Sequence, residues 1–252
     1  MWFLIVLNLA GKIAALWLGR SAPVTALALW FGPDLVIVYH WLVPRARGLV
    51  HMRRRFAAAG REVWLTIDDG PDPDDTPRIL EALASHGAKA TFFVIGQNAA
   101  ARPDLIRAMV AAGQEVANHT QTHPLGSFWF ASPGRVGREI DQCSQALRAA
   151  GVTPTRFRPP AGLKSLWLGR ELFARGLTCV AWSARGLERR YNDPEAVADR
   201  VLRGLAPGAI LLLHEGPRLH PAIRVNAIRR VLERLRDQGY RCVVPTPEQL
   251  AD

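Results

Sequence analysis

The chain has 252 residues, which is enough for one sizeable domain or at most two small ones. Hydrophobic residues make up 49% and charged residues 21% of the sequence, so disorder, collagen-like repeats and low-complexity sequence are excluded for the chain as a whole. The formal net charge is +10, but much of it lies in residues 44–61, which carry six arginines and no acidic residue. A nucleic-acid-binding domain spreads basic residues over a folded face and interleaves aromatic ones, so we expect no nucleic-acid partner.

The N-terminal part has the composition of membrane-associated sequence. Two apolar runs, Met1–Gly19 and Ala22–Val43, are each close to the roughly 20 residues that span about 30 Å of hydrocarbon. Lys12 and Asp34 interrupt them, at a cost of about 2.5 to 3.5 kcal/mol for such a charge near the bilayer centre. We predict a membrane-anchoring helical hairpin, with a single span plus an interfacial or re-entrant segment as the alternative. A cleaved signal peptide is disfavoured because no basic region precedes the apolar stretch and no small-residue cleavage site ends it.

The arginine-rich segment 44–61 directly follows the second apolar run. Lysine and arginine in excess beside a membrane span tend to stay cytoplasmic. We therefore predict that the large domain lies on the cytoplasmic side of the inner membrane, although one span fewer would place it on the opposite side. The same arginines can contact anionic lipid headgroups, each contributing on the order of 1 kcal/mol.

From Glu62 onward, short β-rich runs alternate with longer segments of helical period, which predicts an α/β domain with largely parallel strands. The predicted strands are Val63–Ile67, Ala90–Ile95, Glu115–Asn118, Arg156–Arg158, Thr178–Trp182, Ala209–Leu213 and Arg241–Val244. The predicted helices are Thr76–His86, Ala99–Ala112, Arg135–Ala149, Ser165–Arg175, Pro194–Leu205 and Pro221–Gln238. This pattern suits a small or irregular β/α barrel or an open doubly wound sheet.

Five of the β-rich runs end in polar or conformationally special clusters. These clusters begin at Thr66, Asn118, Arg158, Trp182 and His214. In parallel α/β folds, ligands bind at the carboxyl ends of the strands, where loops from several strands converge. The clusters are therefore expected to face one site.

A metal site is predicted at this edge. His119 and His123 lie four residues apart at one strand end, and Asp69 lies at another. Two neutral imidazoles and a carboxylate with open positions are typical of a catalytic divalent cation, with Zn²⁺ as the expected ion. The same ligands also suit non-haem Fe(II), so they do not by themselves distinguish hydrolysis from oxygenation.

Asp68 favours hydrolysis. A second carboxylate beside a metal ligand is placed to take a proton from an attacking water, a role that an oxygenase does not need. Arg158 is expected to pair with Asp68 and keep it ionised. In the stiff turn after Arg158, the amide of Ala161 can point at a developing oxyanion. His214 is a candidate proton donor to a leaving group.

Four ordered segments resemble the motifs of the NodB-homology polysaccharide deacetylases, carbohydrate esterase family four. They are Thr66-Ile67-Asp68-Asp69-Gly70-Pro71, His119-Thr120-Gln121-Thr122-His123, Arg158-Pro159-Pro160-Ala161-Gly162 and Leu211-Leu212-Leu213-His214. The resemblance extends over about Val63 to Val244. It implies a distorted (β/α)7 barrel and metal-dependent removal of an acyl group from an N-acylated amino sugar.

The resemblance also implies roles for these residues. Asp69, His119 and His123 would bind the metal, Asp68 would be the base, and His214 would be the acid.

Further roles follow from the resemblance and from one departure. Arg158 would orient the base, and the Ala161 amide would stabilise the oxyanion. Where the family often shows Asp and then Asp-Trp, this chain has a segment containing Arg185, Glu188 and Arg189. We expect Glu188 to orient the acid and Arg185 to contact a substrate that carries phosphate; the alternative is that the arginines are solvated loop charges.

These observations give three expected segments. Residues 1–43 are the membrane-anchoring segment, 44–61 a basic juxtamembrane linker, and 62–252 a polysaccharide-deacetylase-like catalytic domain. The expected function is metal-dependent removal of an N-acyl group, with acetyl expected, from an amino sugar in a lipid-linked or glycolipid substrate. The alternatives are a deformylase or another amidohydrolase of carbon–nitrogen bonds, and a catalytically inert carbohydrate-binding barrel.

Overall fold

The computed structural model describes residues 2–43, 46 and 48–250. The chain begins with two helices, α1 (Trp2–Leu18) and α2 (Pro23–Leu42), which pack against each other as a hairpin. Lys12 Nζ lies 3.1 Å from Asp34 Oδ2, and Asn8 Nδ2 donates a hydrogen bond to Asp34 Oδ1 at 2.6 Å. The polar residues that interrupt the apolar runs therefore pair with each other.

The hairpin exposes apolar side chains that the rest of the protein does not cover. Leu16 is 73%, Trp17 89% and Val24 79% exposed. Among the described residues, Pro23–Leu42 is the one helix whose length and composition suffice to cross a membrane, and the apolar part of α1, Val6–Leu18, is shorter.

The central sheet curls into a half-barrel of parallel strands. Its strands are β1 (Glu62–Asp68), β2 (Ala90–Val94), β3 (Glu115–Asn118), β4 (Arg156–Phe157), β5 (Thr178–Cys179), β6 (Ala184–Arg185), β7 (Ala209–His214) and β8 (Arg241–Cys242). Their order is β5-β4-β3-β2-β1-β7-β6, and β8 pairs with the start of β1. The predicted (β/α)7 barrel of the NodB type, preceded by a helical hairpin, is confirmed. The short strand β6 was not predicted, because its two residues lie in the polar segment that follows the predicted strand Thr178–Trp182, of which only Thr178–Cys179 forms β5.

Helices cover the outside of the sheet. They are α3 (Asp75–Ser85), α4 (Gly96–Ala101), α5 (Pro103–Ala111), α6 (Pro133–Ala149), α7 (Leu168–Phe173), α8 (Pro194–Leu202) and α9 (Arg224–Asp237). The single helix predicted over Ala99–Ala112 is wrong, since α4 and α5 meet at Arg102, whose φ and ψ are −136° and 59°. Pro103 causes this break because proline disfavours the helical conformation in the residue before it.

Strand β1, which ends at the predicted site, is buried on both faces. All seven residues of β1 are buried. Val63, Leu65 and Ile67 pack into the large core that includes α3 and α9, whereas Trp64 packs into a second cluster with Phe93. A strand covered on both sides holds the residue at its end in a defined position.

Part of the segment interpreted as a linker packs on the catalytic domain. Arg53 forms a parallel bridge with Val180, and Arg55 forms an antiparallel bridge with Ala209. The apolar side chains on either side, Met52 and Phe56, are 4% and 7% exposed. We therefore propose that the catalytic domain begins before Glu62. Two of the six arginines of this segment, Arg45 and Arg47, lie outside the described residues.

Candidate active site

A cavity of about 250 Å³ opens at the carboxyl ends of the strands. Eight of the nine residues predicted for the site line it: Asp68, Asp69, His119, His123, Ala161, Arg185, Glu188 and His214. The ninth, Arg158, is fully buried and contacts Asp68. The structure thus brings together residues that are up to about 150 positions apart in the sequence.

Asp69, His119 and His123 converge on one point of this cavity. Asp69 Oδ1 lies 3.3 Å from His123 Nε2 and 3.7 Å from His119 Nε2, and one ligand atom from each residue lies within 4.8 Å of the others. Asp69 Oδ1 is buried and has no hydrogen-bond partner among the described residues. A carboxylate oxygen that faces two imidazole nitrogens without a donor of its own fits a divalent cation.

Both histidines are held in the neutral form that metal binding needs. Burial lowers the pKa of His119 to about 3, and the neighbouring His123 adds to this effect. Burial also lowers the pKa of His123, against the opposing effect of Asp69. His119 Nδ1 lies 2.7 Å from the carbonyl oxygen of Arg158. Since a carbonyl only accepts, Nδ1 carries the proton and Nε2 is left free to bind a cation.

Hydrogen bonds hold the loop that carries the two histidines. Asn118, the last residue of β3, accepts a hydrogen bond from the Thr120 amide at 2.9 Å and donates to the carbonyl oxygen of Ile140 in α6 at 2.8 Å. The buried carboxylate of Glu139, also in α6, accepts hydrogen bonds from both the amide and the hydroxyl of Thr122. The loop is therefore attached to a long helix at two points.

Left-handed backbone conformations concentrate around the cavity. Among the described non-glycine residues, positive φ occurs at Asp69, Thr120, His123, Ala161 and Leu187. Four of these five line the cavity. Such conformations cost on the order of 1 to 3 kcal/mol each and cluster at functional sites, where the surrounding structure holds them.

Asp68 is held by a buried arginine. Arg158 Nη1 donates to Asp68 Oδ1 at 2.6 Å and to Thr66 Oγ1 at 2.8 Å. Its Nε and Nη2 donate to the carbonyl oxygens of Val180 and Ala181. The second oxygen of Asp68, Oδ2, lies 3.5 Å from His119 Nε2 and faces the cavity. Arg158 therefore fixes one oxygen of Asp68 and leaves the other towards the predicted metal site.

His214 pairs with Glu188. The same oxygen of Glu188, Oε1, lies 3.1 Å from His214 Nδ1 and accepts a hydrogen bond from the His214 amide at 2.9 Å. Burial opposes the charged imidazolium, but the charge and hydrogen bond of Glu188, together with the charges of Asp68 and Asp69, raise the pKa of His214 to about 9. Glu188 is 3% exposed. A protonated histidine with Nδ1 fixed in this way can present Nε2–H to the cavity.

Several residues near the centre were not predicted. Trp182, Leu125, Leu187 and Leu212 form apolar parts of the cavity wall. Arg218, in the loop after β7, places Nη1 3.2 Å from His123 Nδ1. Trp182 begins one of the strand-end clusters expected to face the site, although no role was assigned to it. Arg218 belongs to no motif, so its position depends on the fold alone.

This parallel half-barrel, with a cluster of carboxylates and histidines at its carboxyl edge, is the arrangement of a hydrolase active site, and the similarities to known proteins define its class. The polysaccharide deacetylase family profile matches residues 57–177. The chain is 38% identical over 199 residues to a chitooligosaccharide deacetylase of Sinorhizobium fredii, covering 74% of this chain and 91% of the relative. It is 32% identical over 189 residues to a peptidoglycan-N-acetylglucosamine deacetylase of Bacillus cereus, covering 72% and 66%.

A solved structure agrees with these similarities. The family 4 carbohydrate esterase from Streptomyces lividans, in complex with acetate, superposes with a TM-score of 0.67 at 35% sequence identity, covering 76% of this chain and 96% of that one. The chain belongs to the polysaccharide deacetylase family, and the expected enzyme class, a hydrolase of carbon–nitrogen bonds, is confirmed.

Proposed function

We propose that this protein is a membrane-anchored, divalent-metal-dependent deacetylase that removes an acetyl group from the nitrogen of an amino sugar. The observation that carries the proposal is the convergence of Asp69, His119 and His123 beside Asp68 and His214 in one cavity. Relatives that act on chitooligosaccharides and peptidoglycan N-acetylglucosamine support the substrate class. The complete set of acid, base and ligands argues against an inert barrel.

Asp69, His119 and His123 would hold the cation, and Zn²⁺ suits this set of ligands. When bound, such a cation acts as a Lewis acid on water and on the amide carbonyl. The contribution of the chain itself is to place proton acceptors and donors around the amide.

Asp68 is the proposed base. Its Oδ2 faces the cavity while Oδ1 is held by Arg158, so it can accept one proton from the attacking water. The amide N–H of Ala161 is proposed to stabilise the negative oxygen that forms when water adds to the carbonyl.

His214 is the proposed acid. Held by Glu188, it can donate a proton to the sugar nitrogen as the carbon–nitrogen bond breaks. The free amine and acetic acid are then the products, and acetic acid releases its proton to solvent as acetate. The proton held by Asp68 passes through solvent to His214, which restores both residues.

The test is release of acetate from a panel of N-acetylated sugars, measured with and without a chelator and repeated with Asp68→Asn. We expect that either treatment removes activity and that adding Zn²⁺ back restores it in the wild-type protein only. Release of acetate that survives both treatments would contradict the proposed mechanism. Faster release of formate than acetate from matched substrates would favour the deformylase alternative.

We also propose that the substrate is lipid-linked and reaches the site from the membrane. The end of α2 contacts the catalytic edge, since the rings of Trp41 and Trp129 lie 5.0 Å apart and the Trp41 indole donates to the Trp129 carbonyl oxygen. The amide of Lys164, which follows the Ala161 turn, lies 3.4 Å from the carbonyl oxygen of Trp41. The loops after β3 and β4, which carry His123 and Ala161, are thus next to the anchor.

Kinetics in detergent micelles test this second step. We expect a higher kcat/KM for a polyprenyl-linked N-acetylated sugar than for soluble chitin-type oligomers. Equal values would contradict a lipid-linked substrate without affecting the proposed deacetylation.

The proposed cytoplasmic position of the domain is tested separately by protease digestion of inside-out and right-side-out vesicles, and we expect cleavage in the inside-out preparation only.

A further inference from the structure

A second cavity, of about 460 Å³, lies beside the catalytic one. We call it the arginine pocket and define it by Arg54, Arg185, Arg200 and Arg203, which line it. Trp182 and Arg185 line both cavities. The arginine pocket is therefore continuous with the wall of the proposed active site.

The described residues that line this pocket include four arginines and no acidic residue. Within the described part of the chain, Arg185, Arg200 and Arg203 form no ion pair with a carboxylate, and all three are exposed. Like charges placed together repel each other, and an anion bound between them relieves this repulsion.

Helix α8 supplies Arg200, Arg203 directly follows its last residue, and the acidic side chains of the helix point away from these two arginines. The acidic residues of α8, Glu195 and Asp199, pair with Arg230 and Arg234 of α9. Arg200 and the adjoining Arg203 instead line the arginine pocket. The positive charge of the pocket is thus not neutralised by the neighbouring acidic residues of the same helix.

The two cavities share part of their lining, so one small substrate can contact both. Arg185 and Trp182 line both cavities, and the Trp182 ring centroid lies 5.8 Å from Arg185 Cζ. Arg185 on β6 is in register with Leu212 on β7, two residues before His214. Along the strand direction, Arg185 is therefore set back from the proposed acid by about 7 Å. A sugar in the catalytic cavity can therefore carry a group that reaches the arginine pocket.

We propose that the arginine pocket binds the phosphate or diphosphate group of the amino-sugar substrate, an inference that rests on the proposed deacetylation. Guanidinium groups bind phosphate oxygens through paired hydrogen bonds, and several of them in one pocket favour a diphosphate. A soluble sugar phosphate and a lipid-linked sugar diphosphate share this chemistry.

Direct binding tests the pocket without turnover. We would titrate inorganic pyrophosphate into the full-length, detergent-solubilised protein by calorimetry and compare Arg200→Gln/Arg203→Gln with the wild type. Each lost charge-assisted contact is expected to weaken binding about tenfold. The matched control is Arg78→Gln/Arg107→Gln, which removes two exposed helical arginines that line neither cavity. Absence of binding to the wild type, or equal weakening in the control, would overturn the proposal.

Kinetics then connect the pocket to the substrate. For a soluble N-acetylglucosamine diphosphate ester, we expect Arg200→Gln/Arg203→Gln to lower kcat/KM about tenfold or more, mainly through KM. For a neutral chitooligosaccharide, kcat/KM should not change. Equal losses on both substrates would overturn the proposal.

The source of the phosphate and the proposed function are separated by two further comparisons. If kcat/KM is higher for a polyprenyl diphosphate sugar than for the soluble ester, the phosphate belongs to a lipid-linked substrate. If the two values are equal, it belongs to a soluble sugar. In both cases, Arg200→Gln/Arg203→Gln must lower kcat/KM for both substrates. If the wild type hydrolyses none of these substrates, the proposed deacetylation fails, and pyrophosphate binding still decides whether the pocket is an anion site.

Discussion

Asp68 and His214 occupy paired positions on neighbouring parallel strands, β1 and β7. The proposed base and acid therefore lie side by side at the same edge of the sheet, on strands whose side chains are almost entirely buried. Their separation is set by backbone pairing, which varies less than the position of a loop.

Replacement of Asp68 tests the base. We expect Asp68→Asn to lower kcat for acetate release by about 10²- to 10⁴-fold, because the amide cannot accept the proton of the attacking water. The control is Asp74→Asn, which changes an exposed carboxylate of the following loop and should leave kcat unchanged. An Asp68→Asn enzyme that keeps more than about a tenth of the wild-type kcat would exclude Asp68 as the base.

The pH dependence of activity tests the pair of His214 and Glu188. Against the effect of burial, Glu188 raises the pKa of His214 to about 9, so the acid should stay protonated through the neutral range. Replacing Glu188 by Gln removes the negative charge, and the alkaline limb of the kcat profile should move to lower pH. Initial rates from pH 6 to pH 10 check this expectation. An alkaline limb that stays in place, with rates lowered equally at every pH, would argue that Glu188 is only structural.

The buried pair of Arg158 and Asp68 should appear in stability measurements. Arg158→Met leaves the Asp68 carboxylate buried without its partner, and such a loss costs about 3 to 5 kcal/mol of unfolding free energy. Adding Asp68→Asn to this variant should recover part of the loss, since the orphaned charge is removed. Recovery should be partial because the carbonyl oxygens of Val180 and Ala181 still lack their donor.

Urea unfolding of the metal-free wild type, both single variants and the double variant measures this coupling. Losses of stability that simply add would show that the two side chains do not interact.

Glu215 predicts a pH-dependent stability. Burial raises its pKa to about 8 from an ordinary value of 4.5; the Thr76 hydrogen bond opposes the shift, and Asp75 and Asp72 add to it. The folded protein thus holds a proton that the unfolded chain releases, so this stabilisation is complete below about pH 4.5 and declines as the pH rises to about 8. Glu215→Gln resembles the protonated form and should lack this decline.

Urea unfolding at several pH values between 5 and 8 tests the expectation. The stability of Glu215→Gln relative to the wild type should increase with pH, by at most about 1.4 kcal/mol per pH unit. Glu81→Gln, which changes an exposed acid of α3, should show no such trend. A constant difference between Glu215→Gln and the wild type would mean that Glu215 is ionised throughout this range.

The sequence predicts that the proposed catalytic residues meet at one edge of the sheet, and the structure brings them together in one cavity there. Asp68, His119 and His214 each stand directly after a predicted strand, and in a parallel sheet such ends meet. Even so, the distances between these side chains depend on the order and register of the strands. The pairing of Asp68 with His214 cannot be predicted from the sequence of β1 or of β7 alone. The sequence predicts that Glu188 orients His214. No local sequence pattern specifies that Glu188 contacts both the backbone amide and the ring of His214.

Other features depend on contacts between distant segments. Arg54 and Arg200 look like ordinary surface arginines in the sequence, and only the fold places them in one pocket. The packing of Met52 and Phe56 was likewise not predicted, because the arginines around them dominate the composition of that segment. The break before Pro103 could have been predicted from the proline itself.

The bridges made by Arg53 and Arg55 limit how the enzyme can be shortened. They connect the chain after β5 to the beginning of β7, and so join two parts of the curled sheet that do not pair with each other. A recombinant form trimmed to residue 57, where the family similarity begins, would lose both bridges and leave empty the sites that Met52 and Phe56 fill. Removal of the hairpin for work in aqueous buffer should therefore cut the chain between residues 43 and 51.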